Sequence, residues 1–106
     1  MVKLDKAAVS GDQADNYIEF LGDSPTPFHA VAECVKRLTA AGFVDRSATA
    51  PMNVDAGDKL FVVHPDGKSI VAAQIGSRSP AETGFAIVGA HTDSPDLRLR
   101  LNPLEA

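Results

Sequence analysis

The residues with the clearest chemical potential are Gly89-Ala90-His91-Thr92-Asp93-Ser94-Pro95, which follow the apolar run Phe85-Ala86-Ile87-Val88-Gly89-Ala90. A neutral imidazole is a good Zn²⁺ ligand, and its second nitrogen is usually held by a carboxylate or a carbonyl. On extended backbone His91 and Asp93 point to the same side, so one can hold a metal while the other orients it. A histidine at a strand end, bonded to an aspartate in the following turn, has the same spacing. The pair alone does not separate the two readings.

The elements that must position this pair are legible upstream. The apolar run predicts a strand buried on both faces, and the carboxyl ends of such strands border the ligand crevice of open α/β sheets. Pro95 ends further pairing. Leu60-Phe61-Val62-Val63-His64, the turn Pro65-Asp66-Gly67-Lys68 and Ser69–Ile75 read as a hairpin. Ala14, Tyr17, Ile18 and Leu21 have helical spacing between Gln13 and Leu21, and Gly22-Asp23-Ser24-Pro25 stops that helix. In Ser24-Pro25-Thr26-Pro27 the second proline keeps Thr26 out of helical dihedrals, as an N-cap requires, and itself fits the first helical position. Phe28, Val31, Ala32, Val35 and Leu38 then form an apolar stripe on a helix of about four turns, with Gly42 as its stop. Residues 1–12 read as a flexible polar lead-in. Helices, a hairpin and a buried strand predict an α/β fold, a partial three-layer αβα sandwich with a mixed sheet.

Two segments carry a family resemblance. The run Phe85–Pro95, continuing to Leu97-Arg98-Leu99, resembles the first metal-binding motif of the aspartyl aminopeptidases. Ser24-Pro25-Thr26-Pro27-Phe28-His29-Ala30-Val31, with Ala41-Gly42-Phe43 after it, resembles their N-terminal signature. Two motifs in the right order, about sixty residues apart, are far more specific than either alone. The likeness covers Tyr17 to Leu99. It departs after Arg100, where Leu101-Asn102-Pro103 replaces the usual basic residue and proline, and it matches Leu60–Ile75 only in outline.

The resemblance implies a dinuclear zinc aminopeptidase that removes N-terminal residues, often acidic ones, from peptides. It makes His91 a metal ligand and Asp93 the candidate catalytic residue, the acidic group that steadies that ligand. The remaining ligands and the general base lie well downstream in the family. The 106 residues thus read as the N-terminal part of a metallopeptidase catalytic domain, inactive alone and holding an incomplete site for Zn, of which the whole active site takes two. Family enzymes assemble as homo-oligomers. Deacylases with a Gly-x-His-x-Asp strand end are a second enzyme reading, which the Pro-Thr-Pro-Phe-His signature opposes. A non-catalytic alternative is an assembly or binding piece that pairs through an open sheet edge.

The other candidates read as structural. His29 lies in a first helical turn, Cys34 beside the apolar stripe as an inert thiol, and Ser94 in a turn without a nucleophile elbow. A site built from His29, His64 and His91 is conceivable, but nothing in the spacing requires it. Arg98 and Arg100 alternate with Leu97, Leu99 and Leu101, as on a half-buried strand with a solvated basic face; a basic lip for an acidic substrate side chain is the sharper reading. Apolar residues at 44% and charged ones at 23% are ordinary for a folded soluble protein. A net charge of −4 with scattered lysines and arginines excludes nucleic acid and anionic membranes as main partners. One cysteine makes no internal disulfide, and no apolar run approaches the ~20 residues of a membrane span. Without a signal peptide at the start, the expected location is cytoplasmic.

Overall fold

The computed structural model describes residues 11–47, 53–95, 97, 99 and 101. Helix α1 spans Gly11–Gly22. It therefore begins inside the segment expected as lead-in, the rest of which lies outside the described residues. Helix α2 spans Pro27–Ala40. Strand β1 (Val44–Asp45) pairs parallel with β2 (Lys59–Val63), which pairs antiparallel with β3 (Ile70–Gln74), giving a mixed sheet in the order β1-β2-β3. One turn of helix, α3, covers Pro80–Thr83. The α/β expectation with a mixed sheet holds.

Both ends of α2 follow from its sequence. Thr26 is extended (φ −136°, ψ 163°), its hydroxyl accepts from the His29 N–H, and Pro27 begins the helix. At the other end the Gly42 N–H donates to the Thr39 carbonyl and the Phe43 N–H to the Leu38 carbonyl. That paired closure needs a left-handed residue, and Gly42 supplies it at φ +84°.

The core is small: Ala30 and Val31 from α2, Leu60 and Phe61 from β2. Helix α2 packs against β1 and β2, and α1 packs on α2. The stripe read from the sequence is only partly the buried face. Val31 is buried and Val35 and Leu38 are half-buried, whereas Phe28 and Ala32 are exposed. Glu33 is buried instead, because its carboxylate is clamped by Lys36 Nζ at 3.0 Å and Arg37 Nε at 2.8 Å. These two bonds, Arg37's first, hold the Glu33 carboxyl below its ordinary pKa. Arg37 also reaches α1, donating to Asn16 Oδ1 and lying 5.2 Å from the Phe20 ring centre. A short strand, β1, escaped the sequence reading because two residues carry no periodic signal.

The larger correction concerns Phe85–Ala90. The run is not a strand, and all six residues are exposed, with Phe85 at 74%, Ile87 at 87% and Val88 at 98%. No backbone hydrogen bond joins it to the sheet among the described residues. A strand buried on both faces needs layers above and below and a neighbour to pair with, and the described residues provide none of these for this run. Leu97, Leu99 and Leu101 are exposed as well, contrary to the half-burial expected of them; Arg98 and Arg100 lie outside the described residues.

Candidate metal-ligand site

The candidate site is built on the segment after Gly84. His91 Nδ1 lies 2.6 Å from the Asp93 carbonyl oxygen and 3.4 Å from Asp93 Oδ1. At those distances the carbonyl accepts a hydrogen bond from Nδ1–H, and the carboxylate stands beside it as a second, longer partner. The sequence assigned the orienting role to the Asp93 side chain, whereas the shorter contact is made by the main chain. In the neutral ring this hydrogen bond leaves the Nε2 lone pair as the one a metal can use. His91 and Asp93 side chains are 78% and 76% exposed, so both are largely open to solvent among the described residues.

Thr92 between them is half-buried. Its hydroxyl donates to the Lys68 carbonyl at 2.7 Å, fastening the segment to the turn between β2 and β3. That turn is itself tightly held. The Gly67 N–H donates to the His64 carbonyl at 2.8 Å, and Asp66 Oδ1 accepts the Lys68 N–H at 2.9 Å. Pro65 and Gly67 occupy the positions such a turn favours for proline and glycine. A methyl group on Gly67 would sit 3.4 Å from the Phe28 ring, and Lys68 Nζ lies 5.5 Å from that ring's centre.

The same turn contains a second His-x-Asp pair. His64 Nδ1 is 2.9 Å from Asp66 Oδ1, so here the carboxylate, not the carbonyl, faces the ring. The Lys68 N–H and, after it, His64 hold the Asp66 carboxyl below its ordinary pKa. His29 Nδ1 lies 2.7 Å from Thr26 Oγ1, in the helix cap. No cluster of three or more histidine, cysteine, aspartate or glutamate side chains forms among the described residues, so His29, His64 and His91 do not meet. Cys34 is half-buried and burial pushes its thiol up, as suits an inert side chain. The equal spacing of His64-x-Asp66 and His91-x-Asp93 was readable in the sequence; the Thr92 contact across twenty-four residues had no local signal.

Residues 20–106 match the model of the aminopeptidase I zinc metalloprotease family, M18. The chain belongs to the M18 family. It is 48% identical over 86 residues to a probable M18 family aminopeptidase 2 of Pseudomonas paraeruginosa, covering 81% of this chain and 20% of that relative. Proteins of the same description from Azotobacter vinelandii and Pseudomonas putida are each 45% identical over the same shares. The chain thus spans about one fifth of the length of these M18 relatives. The family match contains both motifs that carried the resemblance, at Ser24–Val31 and Phe85–Pro95. No helix among the described residues is long and apolar enough to cross a membrane.

Does the chain's own donor set fit zinc? His91 does: an exposed imidazole with Nδ1 tied to a main-chain carbonyl presents one well-defined nitrogen. The described residues supply that one ligand and not a closed site, since a catalytic zinc takes at least three protein ligands.

Proposed function

We propose that this chain supplies the first metal ligand of an M18 aminopeptidase active site, His91 through Nε2, with Asp93 as the residue that fixes the ring. The observation that carries this reading is the His91 Nδ1 contact to the Asp93 carbonyl, 2.6 Å long, which leaves Nε2 free within a family-matched segment. When bound, zinc polarises a peptide carbonyl and lowers the pKa of a bound water to about 7. The part this chain plays is positional. Asp93 holds the imidazole tautomer and its direction, and the exposed His91 edge leaves room for ligands from the rest of the enzyme.

In this reading the complete site is dinuclear, and a glutamate outside this chain is the general base. The substrates are peptides with an acidic N-terminal residue, the whole enzyme is a cytoplasmic homo-oligomer, and this chain alone is inactive. Support comes from the two motifs and the M18 match.

A chimera tests it. The chain replaces the matching fifth of the Pseudomonas paraeruginosa relative, and hydrolysis of aspartyl-, glutamyl- and leucyl-p-nitroanilide is compared with that of the 106-residue chain. Activity in the chimera, lost by at least a hundredfold in His91→Ala together with its zinc, is the expected result. Full zinc content and activity in His91→Ala would overturn the assignment. A preference for leucyl substrate would remove the acidic specificity and leave the ligand in place.

A further inference from the structure

We infer that Thr92 is a positioning residue for His91, and that the turn between β2 and β3 is the seat on which it places the metal-binding segment. The inference rests on His91 being a metal ligand and adds how its location is set.

Three observations converge. The Thr92 hydroxyl donates to the Lys68 carbonyl at 2.7 Å, and among the described residues this is the one hydrogen bond joining residues 85–95 to the remainder of the protein. Thr92 is half-buried while its neighbours Ala90, His91, Asp93, Ser94 and Pro95 are all exposed, so the segment touches down at this residue. The acceptor belongs to a turn held at several points, closed by Gly67 N–H to His64 O, by Lys68 N–H to Asp66 Oδ1 and by Gly67 at φ +70°.

The seat is braced from behind. Phe28, in the first turn of α2, lies against Gly67 and beneath the Lys68 ammonium. The Pro-Thr-Pro-Phe-His segment and the His-Thr-Asp-Ser-Pro segment therefore both contact one hairpin turn, through Phe28 and Thr92. A ligand carried on an otherwise unpaired segment gains a fixed location only through such an anchor. Metal sites depend on partners of this kind, because small displacements of a donor change its fit to the ion. A threonine between the ligand and its orienting residue does two jobs at once: it docks the backbone and leaves both flanking side chains facing outward.

The test uses Cu²⁺ as a paramagnetic probe on the 106-residue chain with His29→Gln and His64→Gln, which leaves His91 as the one imidazole. Amide signals are followed by NMR. With Thr92 intact, His91-dependent broadening is expected at residues 89–95 and also at Gly67, Lys68 and Ser69. In Thr92→Val it is expected to persist at residues 89–95 and to be lost from the turn, and Thr92→Ser is expected to restore it there. Unchanged amide shifts across β2 and β3 show that the variants keep their fold. Turn broadening that survives in Thr92→Val overturns the positioning role while leaving His91 a ligand. Broadening that survives His91→Ala overturns the ligand assignment, and the inference with it.

Discussion

Helix α2 with β1 and β2 and the run Phe85–Ala90 are both rich in apolar residues, yet only the first region buries any of them. Phe61 is 2% exposed and Val88 is 98% exposed. Composition does not separate the two. Helix α2 satisfies its own backbone and needs one surface to lean on, and β2 has a partner on each side. The Phe85–Ala90 run needs partners on both edges and cover on both faces. The proposed ligand sits on the second kind of segment, whose one hydrogen bond to the rest of the described residues runs from Thr92 to Lys68 in the β2–β3 turn. In this chain the scaffold packs locally, whereas the proposed ligand depends on contacts that the scaffold only begins to provide.

The sharpest way to break this contrast is to truncate one residue from each side. Phe61→Ala should cost about 3–5 kcal/mol, because Phe61 is the most buried large side chain of the small apolar core among the described residues. Val88→Ser should stay within about 0.5 kcal/mol of the parent, since it alters a fully solvated side chain. Urea unfolding of both variants measures the difference. A loss in Val88→Ser comparable to that in Phe61→Ala would mean the apolar run is packed in solution, by folding back or by association.

What the sequence disclosed divides along the same line. Thr26, Pro27 and Gly42 act within a few residues of themselves, so the boundaries of α2 could be read from them directly. The Pro65-Asp66-Gly67-Lys68 turn likewise announced the hairpin. The candidate site was legible through the residue types at His91 and Asp93, and the family match supports the resemblance they carried. Beyond local reach the reading failed in both directions. Phe85–Ala90 looks like an interior strand because its residues suit one, but a strand exists only where another chain segment pairs with it. Glu33 is buried although glutamate rarely is, because Lys36 and Arg37 one turn on neutralise it. Asp93 was chosen for its carboxylate, and its carbonyl makes the shorter contact.

The junction between the two regions gives a second, smaller prediction. Gly67 adopts φ +70°, where an L-residue costs about 1–2 kcal/mol, and an added methyl would come within 3.4 Å of Phe28. Gly67→Ala should destabilise the chain by that amount. Gly76 has no such backbone and open space around it, so Gly76→Ala should be neutral or slightly stabilising. If the two alanine variants melt alike, the turn is not the constrained seat described above. If Gly67→Ala also abolishes the contact of Thr92 with Lys68, seen as a shifted Lys68 carbonyl resonance, the turn geometry is what holds the site-bearing segment.

The smallest effect expected is a response of that same turn to acid. Asp66 accepts the Lys68 N–H at 2.9 Å and lies 2.9 Å from His64 Nδ1, and these contacts lower its folded pKa below the unfolded value of about 4. A depressed carboxylate pKa means that the folded state binds its proton more weakly than the unfolded one. Its contribution to stability is therefore complete above about pH 4 and is lost as pH falls from there through the folded pKa. Because the carboxylate is exposed, the loss is local rather than global. The Asp66 carboxyl ¹³C resonance should titrate with a depressed midpoint. Over the same window the protection of the Lys68 amide relative to its intrinsic exchange rate should fall, while the amides of β2 opposite β3 remain protected. Asp66→Asn keeps an acceptor oxygen but cannot ionise, so the protection of its Lys68 amide should no longer change over that window. A midpoint at the ordinary value, or a turn indifferent to acid, would show that the Asp66 bond does not stiffen the seat, and the rigidity of the junction would then rest on Gly67 and Phe28.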